Sequence, residues 1–119
     1  MDSRGPESAG AATVATPHLE LQDEGVGARH TLVLIGELDM ASAPTLDAAI
    51  DRLCTDGTEA LTLDLSRLTF MDSTGLRVML VAKDLCVENG CELQLVRGPA
   101  QIQRLFEVTG LLELLPFRA

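Results

Sequence analysis

The chain has no tryptophan and no tyrosine, three phenylalanines, three cysteines and a single lysine, Lys83, in 119 residues. Without large aromatics, Leu, Val, Ile and Ala have to fill the interior. One lysine within a net charge of −9 excludes nucleic acid as a partner, because neutralising phosphates takes clustered Lys and Arg. An acidic surface suits a basic protein partner instead. No apolar run approaches the roughly 20 residues of a membrane span, so no membrane is expected. The opening "MDSRGPESAGAATVATP" has an acid at position 2 and no continuous apolar stretch, unlike a secretory signal. An odd number of cysteines (Cys54, Cys86, Cys91) without such a signal reads as reduced thiols in the cytoplasm. With no histidine near them in sequence, the three are expected to be small hydrophobes, with no metal site and no cofactor.

What is present is one domain's worth of chain with 46% apolar and 23% charged residues, enough for one real core. Residues 1–15, made of Ala, Ser, Gly, Thr and Pro, bury too little to order themselves and are expected to be a disordered tail before a domain at 16–119. Leu19 and Leu21 alternate with polar residues. Gly25-Val26-Gly27 then turns the chain into "RHTLVLIGELD", a strand whose apolar centre from Leu32 to Ile35 implies burial on both faces. Pro44 falls in a first helical turn, followed by Leu46, Ala49, Ile50 and Leu53 at helical spacing. "ALTLDLS" puts Leu61, Leu63 and Leu65 on one face of a strand. A helix from about Ser73 to Asn89 stops at Gly90. "CELQLV" is a further strand, a helix bears Ile102, Leu105 and Phe106, and "LLELLP" forms a last short strand or turn. The order β-β-α-β-α-β-α(-β) implies an α/β domain with a mostly parallel mixed sheet, one initial antiparallel hairpin and covering helices.

Between the third strand and its helix stand Asp72, Ser73, Thr74 and Gly75. In such a sheet, ligands and reactive groups collect where strands end and helices begin. One polar side chain suffices as a helix cap, yet here three stand in a row before a glycine that leaves the backbone open to close approach. A phosphate on Ser73 would gain from the free N–H groups and positive end of the helix, and Arg77, four residues on, is placed to pair with it. Arg77, Asp84 and Glu88 continue a polar stripe in line with Ser73, bordered by Leu80 and Val81, while Gly75, Met79, Ala82 and Cys86 face inward. Ser73, Thr74, Arg77, Leu80, Val81 and Asp84 together read as a protein-binding surface.

"IGELDMASAPTL", "LDLSRLTFMDSTGLRVML" and "RLFEVTGLLELLP", in this order and spacing, resemble the bacterial anti-sigma factor antagonists, the single-domain members of the STAS family, over about residues 17–117. The resemblance implies a partner-switching module. Its unmodified form binds an anti-sigma factor that is also a serine kinase with a histidine-kinase-like ATPase fold, which frees a sigma factor for transcription in stress responses. Phosphorylation of the Ser after the motif's Asp, here Ser73 with Thr74 as the alternative hydroxyl, abolishes binding, and a PP2C-type phosphatase reverses it. Asp39 matches a family position beside the acceptor, so Asp39, Asp72, Gly75 and Arg77 would form the phosphate's environment. No catalytic residue is implied. Several members carry Gly where this chain has Arg77.

Three other readings compete. A hydrolase would need Ser73 as nucleophile with His18 or His30 as base, but both histidines fall in the first hairpin segment and no G-x-S-x-G elbow is present. A phosphorylated receiver would use Asp64 or Asp72 with clustered acids, a metal and a lysine late in the fold, whereas Lys83 sits within a helix. A third reading keeps the fold as a non-switching scaffold or an accessory subunit of a transporter or stress-signalling complex.

Overall fold

Leu61, Leu63 and Leu65 alternate with Thr62 and Asp64, and that period of two builds the strand at the centre of the core. A computed structural model describes residues 11–118. The elements are β1 (Ala11–Ala15), β2 (Leu19–Glu24), β3 (Arg29–Leu38), α1 (Ala43–Thr55), β4 (Ala60–Met71), α2 (Ser73–Asn89), β5 (Glu92–Val96) and α3 (Ala100–Val108). The five strands lie side by side in chain order. β1 and β2 pair antiparallel, as do β2 and β3, whereas β3–β4 and β4–β5 are parallel.

The leucines of β2, β3, β4 and β5 (Leu19, Leu21, Leu32, Leu34, Leu61, Leu63, Leu65, Leu93, Leu95) form one cluster with the buried residues of all three helices. Each buried leucine contributes about 1.5–3 kcal/mol relative to an exposed one, so an aliphatic interior suffices where large aromatics are missing. α1 buries Leu46, Ala49, Ile50 and Leu53, at the spacing expected. α3 buries Ile102 and Phe106, and Phe106 meets Phe117 edge to face with ring centroids 5.0 Å apart. The C-terminal segment is a turn that ends in a single parallel bridge between Phe117 and Leu95.

Two expectations change. Residues 11–15, assigned to a disordered tail, form an edge strand paired residue for residue with Glu20–Glu24. The edge of β2 supplies backbone hydrogen-bonding partners, and that pairing does not require β1 to bury side chains; Thr13 and Val14 stay exposed. Antiparallel and parallel pairings are therefore equal in number. Residues 1–10, the rest of the expected tail, lie outside the described residues. Burial of β3 on both faces holds for Leu32, Val33 and Leu34 but gives way at Ile35, which is half-buried.

β3 and β4 run parallel and end together, with Leu38 opposite Met71. Asp39 and Asp72, each the next residue, leave the sheet side by side.

Candidate functional site

α2 begins at the point where β4 ends, and Asp72 makes the junction. Its backbone is extended (φ −110°, ψ −167°), and its side-chain carboxylate accepts the Thr74 N–H at 2.9 Å. Asp72 is thus the N-cap, and Ser73, the first residue of α2, is exposed. Of the three polar residues in a row, Asp72 makes the capping bond and Ser73 is left exposed. Asp72→Ala should lower stability by about 1 kcal/mol, or about 4–8 °C in melting temperature for a domain near this size. An unchanged melting curve would mean the cap is dispensable.

Asp39 is held by a turn of its own. Its Oδ1 accepts the N–H groups of Ala41 and Ser42, each at 3.0 Å. The buried Ser42 side chain accepts the Asp39 N–H at 3.0 Å and has the carbonyl of Glu37 at 2.9 Å and Asp39 Oδ1 at 3.1 Å as acceptors for its proton. The N–H of Ser42, foremost among these influences, holds the Asp39 carboxyl below its ordinary value of 3.8. Because the folded state binds this proton less tightly than the unfolded chain, the stabilisation is present above about pH 4 and lost as pH falls through the folded value. Asp39→Asn should therefore lose less stability than wild type on acidification below pH ~4; superimposable acid limbs would contradict this.

Gly75 faces inward, as its place on the helix implies. It is buried, and a Cβ there would lie 2.3 Å from Met71 Cγ and 3.1 Å from Leu38 Cδ2. The missing side chain lets α2 press onto the ends of β3 and β4; it does not open backbone to a partner. Arg77, Val81 and Asp84 are exposed along the outer face of α2, Thr74 and Leu80 are half-buried, and Leu80 also packs against the core. Arg77 and Val81 share a surface groove of about 390 Å³ with Asp47 and Asp51 of α1. The nine site residues thus divide into an exposed patch around Ser73 and a supporting layer of Asp39, Asp72 and Gly75.

Sequence reasoning missed four residues here. Ser42, at the N-cap position of α1, makes no cap bond with its side chain and orients Asp39. Met40 and Phe70 are large apolar residues at this end of the sheet, 75% and 47% exposed, and an apolar residue next to an acid in "LDMA" is the one signal that pointed to the first. His18, expected only as part of the first hairpin segment, lies here too, with Nδ1 4.0 Å from a Glu37 carboxylate oxygen. His30 starts β3 at the opposite end of the sheet, bonded to Asp23 at 2.9 Å, so it makes no pair with Ser73. Asp64 accepts the N–H of Ser66, and Lys83 donates to the carbonyl of Leu114, so the two do not meet in a receiver-like cluster.

With this geometry, comparison with known proteins is decisive. The family model for the STAS domain matches residues 21–119. The chain belongs to the STAS domain family. Among its STAS relatives, the anti-sigma-B factor antagonist of Staphylococcus aureus is 35% identical over 80 residues, 67% of this chain and 74% of the relative. An anti-sigma factor antagonist from Mycobacterium paratuberculosis superposes with a TM-score of 0.74 at 29% identity, covering 87% of this chain and 89% of the other. SpoIIAA, an anti-sigma factor antagonist and cell fate determinant of Bacillus, shares the fold with a TM-score of 0.68 at 24% identity, over 83% and 88% of the two chains. The mixed α/β architecture expected from the sequence is the STAS architecture. No helix among the described residues is long and apolar enough to cross a membrane.

Proposed function

We propose that this protein is an anti-sigma factor antagonist whose docking is switched by phosphorylation of Ser73. The observation that supports this reading most directly is the division of labour at the start of α2: Asp72 caps the helix and Ser73 stands exposed beside it. An acceptor hydroxyl has to be reachable by a kinase and free of structural duty, and this one has both properties. The partner is an anti-sigma factor that doubles as a serine kinase of the histidine-kinase-like ATPase class, and a PP2C-type phosphatase resets the switch in the cytoplasm.

The unmodified protein offers Ser73, Thr74 and the Arg77–Val81–Asp84 face of α2, with exposed Met40 and Phe70 alongside, a mixture of apolar area and charge suited to a protein interface. Phosphorylation adds a charge of about −1.5 to −2 at the first helical position. The helix N-terminus favours that charge by only about 0.3–1 kcal/mol, too little to rearrange the fold. In a dry contact with a partner, the same group has to be desolvated beside the Asp72 and Asp39 carboxylates, a cost of several kcal/mol. The larger effect falls on docking, and Arg77, one turn along, is placed to hold the phosphate on the free protein.

The test is a phosphate-affinity gel of the full chain incubated with the kinase and ATP. A shifted band abolished by Ser73→Ala supports the switch; a shift abolished only by Thr74→Ala moves the acceptor by one residue. No shift with an active kinase favours a non-switching scaffold or accessory subunit.

A further inference from the structure

Three sulfurs meet at the end of α2 remote from Ser73, thirteen residues and about 20 Å along the helix. Cys54 lies in the last turn of α1, Cys86 on the inner face of α2 and Cys91 just before β5, and their sulfurs all lie within 4.8 Å of one another. Cys54 Sγ and Cys86 Sγ are 3.6 Å apart, and all three thiols are free and buried. Two packing features bring them together. Gly90 closes α2 in the left-handed conformation (φ 70°), and the Cys91 N–H bonds back to the Cys86 carbonyl at 2.8 Å, so two cysteines five residues apart face each other. Packing of α1 on α2 adds Cys54.

Sulfur bound to a metal at about 2.3 Å gives a triangle with edges of roughly 3.5–4 Å; the Cys54–Cys86 edge, at 3.6 Å, has that length, and the other two are no longer than 4.8 Å. Charge selects the ion. Among the described residues, no His, Asp or Glu joins the three sulfurs as a fourth ligand. Three thiolates on zinc, which keeps an open fourth position for water, leave a net negative charge, and on copper(I) more so; the aliphatic surroundings disfavour either. Burial likewise raises the Cys86 and Cys91 thiols above their ordinary range and keeps them protonated. A trivalent metalloid avoids the charge altogether. Arsenous acid condenses with three thiols: three S–H bonds and three As–OH bonds break, three As–S bonds form, and three waters leave. Arsenic stays trivalent, and the product is a neutral pyramid of three sulfurs without a fourth ligand.

We propose that Cys54, Cys86 and Cys91 form a three-sulfur binding site for trivalent arsenic. A surface cavity of about 350 Å³ reaches Cys86 and Cys91 between Val87, Leu93 and Leu114, which gives a small neutral acid its route in.

Arsenite added to the reduced full-length protein without oxygen should give a one-to-one adduct in native mass spectrometry, heavier by one arsenic atom less three hydrogens. Binding to the folded state alone raises apparent stability, so the melting temperature should rise by several degrees. Cys54→Ala and Cys91→Ala should lose that rise and form at most a two-sulfur adduct that keeps a hydroxyl. Should either variant fail to fold, the wild-type mass increment decides on its own. A wild-type adduct that retains a hydroxyl, no adduct at tenfold excess, or displacement of arsenic by equimolar zinc or copper(I) would overturn the proposal.

Discussion

Ser73→Glu should weaken binding to the anti-sigma factor by about two orders of magnitude, whereas Ser73→Ala should stay within a few-fold of wild type. Two effects compete at this position. A carboxylate in the first turn of α2 interacts favourably with the helix N-terminus, by about 0.3–1 kcal/mol, so the glutamate variant should melt at or slightly above the wild-type temperature. Against that, in the proposed docking the carboxylate has to enter a contact beside the Asp39 and Asp72 side chains, and like charges brought together in an interface cost several kcal/mol. A loss of about 3 kcal/mol corresponds to a factor of about 100 in affinity. The two signs separate cleanly: stability holds while binding falls, so unfolding cannot be mistaken for the switch. Calorimetric titration of the three proteins against the same partner checks this. Affinities within threefold of one another would remove Ser73 from the interface.

Much of the fold was legible because its signals are local. The leucine alternation of Leu61, Leu63 and Leu65, the spacing of Leu46, Ala49, Ile50 and Leu53, and the Asp72 and Gly90 boundaries of α2 each follow from a few neighbouring residues, and each appears where the pattern put it. Ser73 was legible for the same reason, as a hydroxyl at a strand-to-helix junction. What escaped depends on pairing between distant segments. β1 is held by the edge of β2, and its small side chains give no sign of that. Along β4 the burial period lengthens from two to three after Leu65, with Leu68 and Met71 inward, because the register against β3 slips twice. The slips turn Leu68 inward, where simple alternation from Leu65 would point it outward, because alternation carries no information about bulges. The cysteines sit 32 and five residues apart, and only the packing of α1 on α2 and the fold-back at Gly90 make neighbours of them.

Gly36→Ala should be the most damaging of the single substitutions considered, through the same irregularity. Gly36 has φ +112°, a conformation that side chains rarely adopt, and a Cβ built on it would lie 2.3 Å from the backbone carbonyl oxygen of His18. That oxygen accepts the Glu37 N–H at 2.8 Å, and the Gly36 carbonyl accepts the Thr69 hydroxyl at 3.1 Å. Relief by backbone movement therefore breaks hydrogen bonds in the sheet. Backbone strain of about 1–3 kcal/mol and a lost hydrogen bond of about 1 kcal/mol together predict a destabilisation of about 2–4 kcal/mol. At about 4–8 °C per kcal/mol, the melting temperature should fall by some 10–30 °C. The position also bears on the site. The second register slip between β3 and β4 falls between Gly36 and Glu37, and the Glu37 carbonyl is the acceptor that helps hold Ser42 against Asp39. At low temperature, where the variant is still folded, Asp39 should lose part of its fixed placement beside Asp72, and partner binding should weaken although none of the exposed residues around Ser73 has changed. If Gly36→Ala melts within 3 °C of wild type and binds its partner normally, the kink in β3 does not aim Asp39 and the supporting layer of the site is simpler than the geometry indicates.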